Sequence, residues 1–266
     1  MIIKKRAFVS FDEYCEYECK FCYTYGIERS KIRTIDEIID SIKDQTFDVI
    51  YVSQKNDNFS DTSRGIKLCY KLFEKYKKSI FIITRNVLND DEIVKLVALK
   101  KRMNDYNQEL FFASSINALS SVRKYESNKT KDPYERLNFI KKMAQNGFKP
   151  ILMLRPIFPN TIIPVCECLN VIDYVSSDIS CVVSSGLGVN ENVLHRLKLK
   201  DEDFSYNNNQ EYLQGAIDCD IKFVNVDNEL KIIKGKCTYQ NIPFFEHSIN
   251  ALNYLLQTNG AFKDEQ

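Results

Sequence analysis

The feature that most constrains this chain is a repeated alternation. A short β-branched or aromatic run gives way to a longer stretch of helical period, six times over. Strands are expected at 7–11, 49–53, 80–83, 110–114, 151–154 and 179–183. Helices are expected at 34–43, from about 63, at 91–103, after Asp132, and at 163–174. In the first helix Ile35, Ile38, Ile39 and Ile42 share a face, and Thr34 with Glu37 makes a capping box. In the second, Ile66, Cys69, Tyr70, Phe73 and Tyr76 form one stripe. The fourth carries Asp132 as cap, Pro133 in its first turn, Glu135 to complete the box and Gly147 at its end. Such alternation implies parallel strands joined by right-handed crossovers. Eight units close a barrel. Six predict an α/β fold of partial (β/α)6 TIM-like type, open along one side, over residues 1–200. A small C-terminal hairpin-plus-helix extension is expected over 201–266. Its hairpin pairs 222–226 with 230–233 across Asp227-Asn228-Glu229, and its helix, 248–257, packs back on the barrel.

Composition narrows the function classes. Lys and Arg number 37 against 36 Asp and Glu, a net charge of +1. That balance excludes a globally basic protein held on nucleic acid by charge alone. With 44% hydrophobic and 27% charged residues, the chain is globular and not disordered. No apolar run reaches the ~18 residues of a membrane span. Met1 to Arg6 leads into only a short apolar patch, which is not a secretory signal. The nine cysteines are therefore expected in a reducing cytoplasm, as thiols or metal ligands and not disulfides.

Three of them stand together in Tyr14-Cys15-Glu16-Tyr17-Glu18-Cys19-Lys20-Phe21-Cys22-Tyr23, just past the first strand. Active sites of parallel α/β barrels lie at that face. Structural zinc sites usually close with four protein ligands, and iron–sulfur clusters ordinarily take four cysteines. A cluster held by the trio C-x3-C-x2-C keeps one iron open to a substrate or cofactor. Two plainer readings stand beside it: a zinc site, and one face of a helix, since 15, 19 and 22 are also i, i+4 and i+7. Against the helix, the segment mixes in tyrosines and glutamates and lacks a cap.

Cys15, Cys19, Phe21 and Cys22 resemble the signature of the radical S-adenosylmethionine (radical SAM) superfamily, and the resemblance extends over about residues 7–185. It implies a [4Fe–4S] cluster on Cys15, Cys19 and Cys22, with the open iron chelating the amino and carboxylate groups of SAM. One electron then splits SAM into methionine and a 5′-deoxyadenosyl radical, which removes a hydrogen atom from a substrate. It also implies an external electron donor of flavodoxin or ferredoxin type. Phe21 is expected beside the adenine. The Gly-Gly-Glu common in the superfamily after strand two is absent, so the SAM amine falls to the stretch from Gln54 to Asp57, with Asn56 and Asp57 as its polar side chains. Arg85 suits the carboxylate. Ser114, Ser115 and Asn117 suit the ribose, and Arg155 the sulfonium and adenine region.

A narrower resemblance joins Asn56-Asp57-Asn58-Phe59, Ile83-Thr84-Arg85-Asn86, Tyr125-Glu126, Pro133-Tyr134-Glu135-Arg136-Leu137 and Arg155-Pro156-Ile157-Phe158-Pro159. In that order they are similar to the branch containing spore photoproduct lyase and DNA repair photolyase-like proteins. The lyase's hydrogen-donating cysteine after strand two has no counterpart in 53–57, and Cys69 falls in a helical stripe. The substrate is thus left open among nucleic acid, peptide and small metabolite. Because the chain begins at the barrel, no separate peptide-recognition domain is expected.

The remaining cysteines, Cys166, Cys168, Cys181, Cys219 and Cys237, have ragged spacing and are expected as scattered buried thiols. The runs Lys75-Tyr76-Lys77-Lys78 and Lys100-Lys101-Arg102 fall at helix C-termini, where cations favour the helix dipole. His195 and His247 lack metal spacing, and Tyr23 and Tyr25 are expected to pack near the cysteines. From another class, the same trio admits a metal-stabilised scaffold, zinc or iron–sulfur, without SAM turnover.

Overall fold

The computed structural model of the chain describes residues 2–12, 14–25, 32–53, 56–207 and 221–260. Six strands pair side by side, in parallel and in chain order: β1 (Arg6–Val9), β2 (Val49–Val52), β3 (Ser79–Thr84), β4 (Leu110–Ser115), β5 (Ile151–Ile157) and β6 (Cys181–Gly186). Three very short strands, β7 (Gly188–Val189), β8 (Tyr206–Asn207) and β9 (Lys222–Val224), make a separate antiparallel sheet in the order β7-β9-β8. The last, β10 (Phe244–Phe245), adds to β6 as a seventh parallel strand, and the sheet does not close. The expected partial barrel is therefore present, one short strand wider than the six units read from the sequence.

Five helices return the chain between strands: α1 (Ile35–Asp40), α2 (Thr62–Tyr76), α3 (Asp90–Asn104), α4 (Pro133–Gln145) and α5 (Val165–Val175). The capping boxes of Thr34 with Glu37 and Asp132 with Glu135 both form. Gly147 follows α4 at φ +78°, a conformation that favours glycine. Strand alternation then divides the core. Ala7, Ile50, Ile80 and Phe112 face outward among Ile38, Leu72, Leu96 and Met143 of the helices. Tyr51, Phe81, Phe111, Ile151 and Val183 face inward.

That inward face is covered by the chain's end. Ala251, Leu252 and Leu255 of α8 (Ser248–Gly260) pack on it beside Ile3. Asn253 fixes the meeting: its Oδ1 accepts from the Ile3 amide at 2.7 Å, and its Nδ2 donates to the Ile3 carbonyl at 3.0 Å.

The expected hairpin around Asp227-Asn228-Glu229 is corrected. Asp227–Tyr239 is a helix, α7 in a numbering where Glu191–Leu197 is α6. Leu230, Ile233 and Cys237 recur at helical spacing, and the last two are wholly buried. Asp227 and Glu229 lie in the first turn, where acids favour a helix start. β9 pairs with β7 and β8 instead. Four elements, β7, α6, β8 and β10, have no counterpart in the sequence reading. No described helix is long and apolar enough to cross a membrane.

Candidate active site

The loop after β1 carries the three cysteines as a succession of turns, not as a helix. Glu18 N donates to Cys15 O at 3.2 Å, Cys22 N to Cys19 O at 2.9 Å and Tyr25 N to Cys22 O at 3.1 Å. Glu18 itself sits at φ +49°. Two outside elements hold this loop. Lys20 N donates to Tyr125 O at 2.9 Å. From α6, Arg196 reaches across: Nε to Lys20 O at 3.0 Å, Nη2 to Cys22 O at 2.7 Å and Nη1 to Tyr25 O at 3.4 Å. Its guanidinium also lies 4.6 Å from the Tyr25 ring centroid. The sequence reading missed Arg196 because α6 itself was missed; Asn190, which caps that helix, was the available signal.

Cys15, Cys19 and Cys22 line one cavity of about 160 Å³ together with Phe21, Asn56, Asp57, Arg85 and Ser115. A larger cavity of about 390 Å³ shares Phe21, Cys22, Arg85 and Ser115 with it and extends to Arg155 and His247. Burial, reinforced by neighbouring Cys22, pushes the Cys15 thiol up to about 12. Burial also raises Cys19, while the Arg85 guanidinium pulls it back.

Arg85 is the best-built side chain here. Nη1 donates to Asn117 Oδ1 at 3.1 Å and to Glu126 Oε1, and Nη2 donates to Arg155 O at 3.1 Å. The guanidinium stands 5.3 Å from the Phe21 ring centroid. Glu126 is fully buried and its carboxylate also pairs with Arg136, equally buried, from α4. Arg136 in turn donates to Ser115 O at 2.6 Å. Residues from just past the end of β3, the segment before α4, and α4 thus meet as one ionic network behind the cavity wall. The sequence reading had singled out Glu126 and Arg136 within a motif without giving them a role. Asn117, expected at a ribose, is engaged in this network: its Nδ2 donates to Pro156 O at 2.9 Å.

The other expected residues divide. Phe21 lines both cavities and meets Phe158 edge-on at 5.6 Å. Asn56 Nδ2 donates to Asp12 O at 2.9 Å, and its Oδ1 is buried without a hydrogen-bond partner among the described residues. Asp57 lines the smaller cavity, yet both oxygens are engaged: Oδ1 with Phe59 N at 3.0 Å, Oδ2 with Thr84 Oγ1 at 2.9 Å and Arg85 N at 2.6 Å. Burial raises its carboxyl against these bonds. Arg155 donates through Nη2 to Glu246 O. Ser115 reaches both cavities, but Ser114 lines neither, since neighbours on a strand point to opposite faces. Gln54 and Cys219 lie outside the described residues. Cys168 is occupied as a donor to Asn117 O at 3.2 Å.

The donor set suits an iron–sulfur cluster. It consists of three soft thiols in one cavity, with a buried, unpartnered Asn56 oxygen on the same wall. Among the described residues, no three His, Cys, Asp or Glu side chains are gathered as ligands of a single metal ion. Cys22 Sγ instead lies 3.0 Å from Thr24 Oγ1.

Solved structures share this unclosed parallel barrel. Spore photoproduct lyase complexed with dinucleoside spore photoproduct superposes with a TM-score of 0.63 at 14% identity, covering 90% of this chain and 75% of that one. SuiB of Streptococcus suis bound to S-adenosylmethionine gives 0.59 at 13%, covering 90% and 49%. The FeFe-hydrogenase maturase HydG of Carboxydothermus hydrogenoformans gives 0.51 at 12%, covering 72% and 49%. The chain thus spans three quarters of the lyase and about half of the other two. No family profile matches the sequence, and no curated protein matches it. At these identities the likeness is one of fold.

Proposed function

We propose that the protein is a radical SAM enzyme that abstracts hydrogen from its substrate. The observation that carries this reading is convergence: Cys15, Cys19, Cys22, Phe21 and Arg85 line one cavity at the C-terminal end of a parallel partial barrel. In this reading Cys15, Cys19 and Cys22 hold a [4Fe–4S] cluster, which together with SAM supplies an electron and a carbon-centred radical. Every other task falls to the chain. Arg196 and the Tyr125 carbonyl hold the cysteine loop in place. Phe21 offers an apolar face to an adenine. Arg85, lining the same cavity, serves a carboxylate. The Asn56 Oδ1 atom suits an amine. Ser115 and Arg155 serve the ribose and adenine region. Asp57 acts indirectly, by fixing Thr84 and the Arg85 backbone. The reductant is an external flavodoxin- or ferredoxin-type protein, and the setting a reducing cytoplasm.

Anaerobic reconstitution with iron and sulfide tests the reading. The reduced protein should give an iron–sulfur EPR signal that changes when SAM is added, and should form 5′-deoxyadenosine with dithionite. Cys19→Ala should lose both signal and product. A colourless protein that binds zinc and forms no product would instead support a metal-stabilised scaffold.

A further inference from the structure

The outer side of the cysteine loop carries positive charge that the fold leaves unmatched. Arg196 donates through Nε to the Lys20 carbonyl at 3.0 Å, and Lys20 Nζ donates to the Lys124 carbonyl at 3.2 Å. Three cationic residues are thus joined in a row through main-chain oxygens. Lys124 Nζ stands 5.3 Å from the Tyr125 ring centroid, and the Arg196 guanidinium lies on Tyr25. Carbonyls and aromatic faces attract such groups but neutralise none of their charge. Among the described residues, no carboxylate lies within ion-pair distance of Lys20, Lys124 or Arg196. Glu18, on the same loop, is paired with a fourth cation, Lys129, at 3.3 Å.

The row stands close to the thiols and away from the cavities. None of its three residues lines either cavity, and Lys20 and Lys124 are exposed. Yet Lys20 follows Cys19 directly, so their Cα atoms are about 3.8 Å apart. Arg196 also holds the Cys22 carbonyl through Nη2 at 2.7 Å. Cys19 and Cys22 face the smaller cavity, while the lysines face solvent. A molecule bound to this outer side comes close to the sulfur ligands without entering the cavity, which stays available to SAM and substrate.

We propose that Lys20, Lys124 and Arg196 form the docking surface for the acidic face of a small one-electron carrier protein, the reductant. One electron leaves the carrier, which is oxidised, and reduces the centre held by Cys15, Cys19 and Cys22. Electron-transfer contacts are small and transient, so a few charges suffice to steer and orient the partner. A nucleic acid also favours cations, but a chain of net charge +1 offers it no broad basic surface. A short row beside the sulfur ligands fits a compact partner. The proposal rests on the radical SAM reading for why an electron is needed, though not for the binding itself.

The test uses the full chain, reconstituted anaerobically with iron and sulfide. Binding of fluorescently labelled flavodoxin is followed by anisotropy, and 5′-deoxyadenosine formation is compared with reduced flavodoxin and with dithionite as the electron source. Flavodoxin should bind wild type and drive product, and both effects should weaken as sodium chloride screens the surface charges. In Lys124→Glu the half-saturating flavodoxin concentration should rise about tenfold in both assays, as for like charges brought together at an interface. Product with dithionite should stay at the wild-type level. Lys20→Gln should show a smaller rise, and stands in if the glutamate variant does not fold. Lys95→Glu, the same charge change on the exposed side of α3, should behave as wild type does. No flavodoxin binding to wild type, or equal binding by wild type and both lysine variants, overturns the proposal. Binding of a labelled oligonucleotide in place of flavodoxin, weakened by Lys124→Glu, overturns it in favour of a nucleic-acid contact. Product with dithionite but no lysine-dependent flavodoxin binding rejects the docking surface alone. Lysine-dependent binding without product from dithionite rejects the radical reading alone.

Discussion

A single carboxylate, Glu126, holds two arginines in place behind the cavity wall. Its side chain and that of Arg136 are both 0% exposed. A buried pair is weak evidence of stabilisation, but breaking one side leaves a buried charge uncompensated, at a cost of about 3–5 kcal/mol. Glu126→Gln should therefore lose stability of that order in urea denaturation, where an exposed ion pair such as Lys71 with Glu74 would lose under ~1 kcal/mol. A loss below 1 kcal/mol in Glu126→Gln would contradict the buried-network account. Arg196 acts by geometry and not by burial. Its three bonds go to backbone carbonyls of the cysteine loop, so Arg196→Gln should leave far-UV circular dichroism unchanged. It should speed alkylation of the loop cysteines in metal-free protein several-fold and lower the iron retained after reconstitution. Unchanged alkylation would show that the loop holds itself.

At the scale of elements, close approach decides between competing preferences. Gly65 lies within α2, where alanine would ordinarily gain about 1 kcal/mol of helix propensity. A Cβ there would stand 2.9 Å from Asn58 O and 3.1 Å from the Phe59 ring. The loop carrying Asn56 and Asp57 would have to move, and overpacking of this kind costs about 1–3 kcal/mol. Gly65→Ala should therefore be net destabilising in a denaturant melt despite its better helix former; a gain in stability would show that the loop yields freely. The same competition explains the lost hairpin. Asp227-Asn228-Glu229 reads as a turn locally, but the apolar spacing through Leu230, Ile233 and Cys237 rewards a helix once α5 and the sheet offer a surface.

For the molecule as a whole, the decisive event is how an open barrel treats its inner face. Six β-α units leave apolar residues such as Phe81, Phe111 and Val183 facing inward with no further strands to meet them. α8 supplies the cover from the far end of the chain, with Leu252 at 0% and Leu255 at 2% exposure. Leu252→Ala should cost about 2–5 kcal/mol, the range for a buried leucine that leaves a cavity. Chemical denaturation measures it, and a loss under ~1 kcal/mol would mean α8 docks only loosely. The same docking brings Ser248 and His247 to the larger cavity, so stability and site are built by one contact.

Legible in the sequence were the six main strands, the helices between them with capping boxes at Thr34 and Asp132, and three thiols within seven positions of one another. These are local signals, set by side-chain period and by the few residue types that can cap a helix or bind iron. Only the tertiary structure shows which of Ser114 and Ser115 reaches the cavity, that Glu126 joins Arg85 to Arg136, that Arg196 holds the cysteine loop, and that β10 extends the sheet. Each of these joins residues far apart in the chain. Such contacts depend on the register of the sheet and the depth of packing, which no local pattern encodes.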